Sequence, residues 1–199
     1  MEFTLFIARE EDADQWKTST SRRLIPRKEY VKRLSSAFST ATAEFAAKNL
    51  GSNIEAAMAA ARSGEEGYST ERAIRDGYIK TDEDFLKEGS RGGACCVTAL
   101  ISEGELAVSN AGDCRAVISR GGVAEALTTH HNPGQADELK RIEALVTNQE
   151  AVDVVRPYCV DVENPKTLSA CQKLVELSCK RGSLDDISLI IIQLQKFVP

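Results

Sequence analysis

Two short segments of this chain contain aspartates whose side chains could bind a divalent metal ion. Asp113 lies in the turn-like segment NAGDCR, and Asp185 and Asp186 lie in SLDDIS, just before a strongly apolar run. Carboxylate oxygens are the ligands that Mg²⁺ and similar hard cations prefer in proteins. An aspartate in a turn, however, also bonds its own backbone without any metal. The residues alone therefore favour ordinary turn and loop roles for Asp113 and Asp185.

The histidines and cysteines indicate neither a zinc site nor a redox centre. His130 and His131 are adjacent and have no spaced partner, so we interpret them as turn residues. The six cysteines form no CxxC pair, and most lie in apolar segments, where a free cysteine packs as a small hydrophobe. We therefore expect a reduced, intracellular compartment, with cytoplasm and nucleus both open.

Composition and net charge narrow the classes of partner. The chain has 199 residues, 42% of them hydrophobic, which is typical of one globular domain with a sizeable core. Its net charge of -5 argues mildly against nucleic acid or an anionic membrane as a partner, because both need a basic surface. No apolar run approaches the length of a transmembrane helix, and the acidic start of the chain is unlike a signal peptide.

The N-terminal two thirds of the chain change from a helical to a β-rich pattern. Residues 1–38 are polar and charged without sustained periodicity, so we interpret them as a solvated segment before a domain at 39–199. Apolar residues at helical spacing predict helices over about 40–62, with a possible interruption near Gly51, and 70–88. Four short β-prone segments with Gly-containing turns then predict an antiparallel meander.

The C-terminal third is predicted to be mainly helical. A short amphipathic helix is expected around 139–145, and Thr147 and Glu150 form a capping-box signature for the next helix, which should end before Pro157. A last helix ends near Gly182 and leads into ISLIIIQL, an apolar run typical of a strand covered on both faces. Helices, a meander, then helices and a strand indicate an α+β architecture.

Several co-linear segments are more specific than this periodicity. In chain order between residues 43 and 194 they are AEFAAKNL, GGACC, SNAGDCRAV, ALTTHHNP, DELKRIEAL, VTNQEAVD and SLDDISLIII. They resemble protein phosphatases 2C, particularly the plant members of this family of metal-dependent serine/threonine phosphatases. The resemblance implies stacked antiparallel sheets flanked by helices, with a binuclear Mg²⁺ or Mn²⁺ site whose paired cations activate a water. It assigns Asp185 to the family's C-terminal metal aspartate and Asp113 to a weaker, additional metal position.

The chain departs from the family pattern at two metal-binding motifs. Where the family has Asp-Gly-His-Gly-Gly, this chain has Ser36–Thr42, which contains no carboxylate. The family's Asp-Gly-Leu-Trp-Asp segment is absent too, because DELKRIEAL runs directly into VTNQEAVD at Leu145-Val146, as if a block with several core strands had been deleted. The Asp76-Gly77 dipeptide lies in a predicted helix and matches another part of the family, so it replaces neither motif.

These departures predict an incomplete protein phosphatase 2C-like protein that is catalytically deficient. Asp113 and Asp185, even with Asp186 as a third ligand, cannot fill the coordination of two cations. A residual Mg²⁺- or Mn²⁺-dependent phosphatase stays open as an alternative, and it would need a rebuilt carboxylate cluster. The candidates for that cluster are Glu10, Glu11, Asp12 and Asp14.

Two non-enzymatic alternatives are also open. A binding module that kept the family's outer helices would engage phosphoproteins or kinases without turnover. A chain that had lost core strands would expose unpaired sheet edges and would be an unstable gene remnant.

Overall fold

The computed structural model describes residues 3–11, 29–37, 40–62, 69–89, 92–102, 105–112, 114–128, 146–160, 162–183 and 186–194. The strands in these ranges are β1 (Phe3–Glu11), β2 (Glu29–Ala37), β3 (Ala94–Ser102), β4 (Glu105–Ala111), β5 (Arg115–Arg120), β6 (Val123–Ala126) and β7 (Asp186–Gln193). The helices are α1 (Thr40–Arg62), α2 (Thr70–Lys87), α3 (Asn148–Cys159) and α4 (Thr167–Lys180). The chain divides into two compact units, residues 17–111 and residues 1–16 with 112–199.

In the unit formed by residues 17–111, two helices cover a three-stranded antiparallel sheet. The strand order is β2-β3-β4. Leu50, Ile54 and Met58 recur every four residues along α1, so they share one face, and all three are buried against α2 and β3. Helix α1 is continuous through Gly51, so the interruption considered there is wrong, whereas the predicted extents of α1 and α2 are confirmed.

Helices α1 and α2 approach each other closely at a glycine. A Cβ atom on Gly77 would lie 2.5 Å from Cγ1 and 2.9 Å from Cα of Ile54, so only a residue without a side chain fits there. Next to this contact, the Asn53 amide donates a hydrogen bond to Thr81 Oγ1 at 2.9 Å. The Asp76-Gly77 dipeptide therefore lies in a helix, as predicted, and its glycine serves helix packing.

Below these helices, the Tyr78 side chain reaches the sheet. Its hydroxyl lies 3.4 Å from Thr98 Oγ1 and 3.5 Å from the carbonyl oxygen of Ser109, which connects α2 to β3 and β4. Burial raises the pKa of Tyr78 well above its ordinary value, because the ionised form would lose its hydration. The phenol is therefore a neutral, structural group.

In the second unit, α3 and α4 pack on a four-stranded sheet. The strand order is β6-β5-β1-β7, with antiparallel neighbours throughout. The core between the layers contains Val117 of β5, Val152 and Val155 of α3, and Leu174 of α4, all 5% exposed or less. Since β1 lies between β5 and β7, residues from three distant parts of the chain form one sheet.

The β-rich centre is not a single meander. β3 and β4 pair in one sheet and β5 and β6 pair in the other, so the predicted meander is wrong at the step from β4 to β5. Gly112 adopts a φ of 100° at this step, a conformation that glycine reaches at little cost. Local turn signals predict that the chain turns, but they do not reveal which strand it pairs with afterwards.

Two further expectations fail, each for a physical reason. Residues 1–38 contain β1 and β2, although we predicted no regular element there; FTLFIA is a short apolar run, which suits a strand with neighbours on both sides but shows little alternation. Helix α3 continues through Pro157 to Cys159, so its expected end before Pro157 is wrong; the proline removes one helical hydrogen bond, but the Val160 N–H still closes the last turn on the carbonyl oxygen of Arg156. The domain boundary at residue 38 stays a prediction.

The remaining helix and strand predictions hold within the described ranges. The capping box of Thr147 and Glu150 is present, and ISLIIIQL forms most of β7. Helix α4 ends at Lys180, shortly before Gly182, which has a φ of 92°. The helix expected around 139–145 and the turn at His130-His131 lie outside the described residues. None of the described helices is long and apolar enough to cross a membrane.

Candidate functional site

The C-terminal end of β1 meets the starts of β5 and β7. β1 is antiparallel to both strands, and Ala8 lies opposite Arg115, the first residue of β5. Further along β1, Glu11 lies directly opposite Asp186, the first residue of β7. The positions of Glu10, Glu11 and Asp186 therefore share one end of the sheet, which we call the acidic end.

The two ligands predicted from the sequence are adjacent to the acidic end along the chain. Asp113 shortly precedes β5 and Asp185 directly precedes β7, but both lie outside the described residues, so their role as metal ligands stays a prediction. Asp12 and Asp14 of the alternative carboxylate cluster also lie outside the described residues. Because the sequence analysis assigned no strand to the N-terminus, it missed the register that brings Glu10 and Glu11 to the start of β7.

Hydrogen bonds fix the start of β5, immediately after Asp113. The backbone N–H of Ala116 donates to Thr128 Oγ1 at 2.9 Å, and the Thr128 hydroxyl donates to the carbonyl oxygen of Cys114 at 3.4 Å. The guanidinium of Arg115 donates to the carbonyl oxygen of Val146 at 3.1 Å. Since Cys114 is also fully buried, the segment that follows Asp113 has little freedom to move.

An ion pair fixes the segment that leads into Asp185 and β7. Arg181, the C-cap of α4, donates to Glu150 of α3 through both terminal nitrogens, at 2.9 and 2.7 Å. Glu150 also accepts from the backbone N–H of Thr147 at 2.9 Å. The Arg181 guanidinium and then the Thr147 donors lower the pKa of Glu150 to about 2. The ion pair thereby joins the end of α4 to the start of α3.

The donor set of the acidic end suits a hard divalent cation. Carboxylate oxygens coordinate Mg²⁺ and Mn²⁺, and several are needed to hold two such ions close together. Among the residues whose side chains are described, no group of three or more His, Cys, Asp or Glu side chains is arranged to hold a metal ion. In the other unit, Ser36–Thr42 occupies the position of the family's Asp-Gly-His-Gly-Gly motif. This segment begins at the end of β2, ends in the first turn of α1 and contains no carboxylate.

Comparison with known proteins identifies the family. The model of the protein phosphatase 2C family matches residues 11–146. The chain belongs to the protein phosphatase 2C family. The match begins at Glu11 and ends at Val146, so it includes the C-terminal end of β1 and stops where DELKRIEAL joins VTNQEAVD.

Plant relatives agree with this assignment. "Probable protein phosphatase 2C 30" of Arabidopsis thaliana is 62% identical over 217 positions, which cover 79% of this chain and 56% of the relative. "Probable protein phosphatase 2C 25" of the same plant is 40% identical over 217 positions, covering 78% of this chain and 54% of the relative. The chain thus spans about half the length of these curated relatives. The plant-type membership predicted from the sequence is confirmed.

Solved structures show the same fold. The serine/threonine phosphatase PstP/Ppp of Mycobacterium tuberculosis superposes with a TM-score of 0.53 at 13% identity, covering 94% of this chain and 97% of that one. The catalytic domain of PstP in complex with two manganese ions gives the same TM-score and covers 95% of this chain. The predicted α+β class, with antiparallel sheets flanked by helices, is confirmed.

Proposed function

We propose that this member of the protein phosphatase 2C family is deficient in phosphatase catalysis. The observation that carries the proposal is the loss of carboxylates at two motif positions. The sequence has Ser36–Thr42 at one of them and the direct junction Leu145-Val146 at the other. Hydrolysis by paired cations depends on ligands that hold both ions, so the activated water is lost together with its ligands.

The lengths of the alignments support a missing internal block. The alignment with the 62% identical relative is 217 positions long and covers 79% of the 199 residues of this chain, which is about 157 residues. The other positions of the alignment, about 60, are therefore gaps in this chain. The alignment with the 40% identical relative gives a similar number, because 78% of 199 is about 155. The end of the family match at residue 146 is consistent with a junction at this point.

A residual metal-dependent phosphatase is the second candidate, and the register of β1 favours it. Glu11 lies opposite Asp186, and Asp185 is the residue directly before Asp186 in the chain. These are the residues that would hold a Mg²⁺ or Mn²⁺ ion, in keeping with the two manganese ions in the PstP complex. A bound cation would supply positive charge for a phosphoryl oxygen, and the chain's own part would be to hold the carboxylates at one end of the sheet.

A melt with and without millimolar Mn²⁺, followed by a phosphatase assay, separates the two candidates. We expect the full chain to melt cooperatively and to release no more phosphate from a phosphoserine peptide than its Asp185→Asn variant does. Asp153→Asn, a change at an exposed position on α3, serves as the matched control. Mn²⁺-dependent phosphate release that Asp185→Asn abolishes and Asp153→Asn preserves would establish the residual phosphatase instead. A chain without any cooperative transition would be the unstable remnant.

We also propose that the chain engages phosphoproteins in a reducing, intracellular compartment. All six cysteines lie within the described residues and are thiols rather than disulfides, and Cys96, Cys114 and Cys159 are buried, which supports the assignment to a reducing compartment. The immobilised chain should retain phosphorylated proteins from a plant extract and lose them after the extract has been dephosphorylated. Equal retention from both extracts would contradict this binding role.

A further inference from the structure

Strand β7 forms one edge of the four-stranded sheet, and its side chains are more exposed than those of the inner strand β5. In the order β6-β5-β1-β7, β5 has a neighbour on each side, and its residues 116–119 are all buried. β7 pairs with β1 on one side, and of its residues 187–193 only Ile192 is buried while the others are half-buried, although most of them are large aliphatics. The difference is what an unpaired strand edge produces, because the side chains lack a neighbouring strand to pack beside.

Few of the features that normally protect a sheet edge occur in β7. Natural edge strands are short, carry lysine or proline, or are covered by other elements. The opposite edge of the same sheet follows that rule: β6 has four residues, carries Glu125 paired to Arg120, and donates the Ala124 N–H to Gln149 of α3, which in turn donates to the carbonyl oxygen of Gly122 just before β6. From Ile187 to Gln193, β7 has neither a charged residue nor a proline. Among the described residues no strand pairs with this edge, so its sequence suits the addition of another strand.

The β7 edge is complementary to a second copy of itself. In an antiparallel pair, opposite residues share a face, so a two-fold axis perpendicular to the sheet passes at a single residue of β7. With the axis at Ile190, Leu189 lies opposite Ile191 of the second copy, and Ser188 lies opposite Ile192 of the second copy. Asp186 lies opposite an uncharged Leu194 rather than its own copy. Pairing therefore places aliphatic residues together and keeps the like charges apart.

We propose that β7 pairs antiparallel with β7 of a second copy of this chain and joins two four-stranded sheets into one homodimer. Such an interface uses the same edge on both copies, so the assembly closes at two chains instead of growing into a fibre. The main-chain hydrogen bonds of the added strand supply affinity, and the apolar side chains exclude water from them.

Sedimentation analysis of the full chain over a range of concentrations tests the proposal. We expect a mass twice the 21.7 kDa of one chain at micromolar concentration. Ser188→Lys should raise the dimer dissociation constant at least about tenfold, because a lysine ammonium would be desolvated at the joined edge. Val123→Lys is the matched control, since it places the same charge on β6, the opposite edge, where Val123 is 66% exposed. It should leave the dissociation constant unchanged.

Hydrogen exchange of the unmodified chain keeps the proposal testable if Ser188→Lys does not fold. Amides of residues 186–194 should exchange faster on dilution, while those of β5 should not change. The proposal would be overturned if the chain stayed monomeric at every concentration of a series that spans about a 100-fold range. Assemblies larger than two chains, or a Ser188→Lys variant that folds and dimerises as well as the control, would also overturn it.

Discussion

The two helix pairs of this protein are joined by different kinds of interaction. Helices α1 and α2 meet through shape, with Gly77 against Ile54 and a half-buried hydrogen bond between Asn53 and Thr81. Helices α3 and α4 share an apolar core too, but their ends are joined by the ion pair of Glu150 and Arg181. The first pair should therefore respond to changes in side-chain volume, and the second should also respond to pH and salt.

Removing the aliphatic side chain at the α1–α2 contact should have the largest effect. Ile54 is 1% exposed, so Ile54→Ala should lower the free energy of unfolding by about 2–5 kcal/mol, through lost burial and the cavity left behind. Urea unfolding followed by circular dichroism measures this. The loss should be the same in low and high salt. A strongly salt-dependent loss would contradict a contact based on shape.

Adding a single methyl group at the same contact should cost less. Gly77→Ala forces the new Cβ against Ile54, so we expect a loss of about 1–3 kcal/mol from overpacking. Gly93→Ala is the control, because nothing lies within 4 Å of a Cβ at that position. In a double-mutant cycle, Ile54→Ala, which removes Cγ1, should relieve only part of the Gly77→Ala cost, since the backbone of Ile54 is also in contact. Full additivity of the two changes would show that the residues do not touch.

Neutralising Glu150 should have a smaller and pH-dependent effect. The folded protein holds the pKa of Glu150 at about 2, below its ordinary value of 4.5, mainly through the Arg181 guanidinium. The stabilisation is therefore complete above about pH 4.5 and is lost as the pH falls through about 2. Thermal melts of the unmodified chain and of Glu150→Gln should differ at pH 7 and converge towards pH 2. A constant difference across this range would exclude the ion pair as its cause.

Removing the amide that joins α3 to the β5–β6 hairpin should have the smallest effect. Gln149 accepts a hydrogen bond from the Ala124 N–H at 3.0 Å and donates one to the Gly122 carbonyl at 2.9 Å. Because these groups are near water, Gln149→Ala should lower the free energy of unfolding by about 0.5–1.5 kcal/mol. Gln172→Ala, at an exposed position on α4, is the control for helix propensity. Equal losses in both variants would show that the two hydrogen bonds add nothing.

Local signals allowed part of this fold to be predicted. The extents of α1 and α2, the capping box at Thr147 and the strand β7 follow from interactions between residues near one another in sequence. The split of the β-rich centre into two sheets does not, because the pairing of β5 depends on a strand at the other end of the chain. The family and its expected ligands could be predicted from short motifs, whereas the meeting of Glu11 with Asp186 depends on strand register, which only the assembled sheet sets.

The central position of β1 has a consequence for how the protein is made. The register partners Thr4 and Gln193 lie near opposite ends of the 199-residue chain. A ribosome makes β1 and β5 well before β7, so β1 can pair with β5 first and gains its second neighbour only after β7 has been made. The unit of residues 17–111 has all its strands within one contiguous stretch and is free to fold on the nascent chain. One edge of the apolar strand β1, in contrast, stays unpaired until β7 has been made, and this edge is the part of the strand that a chaperone would need to cover.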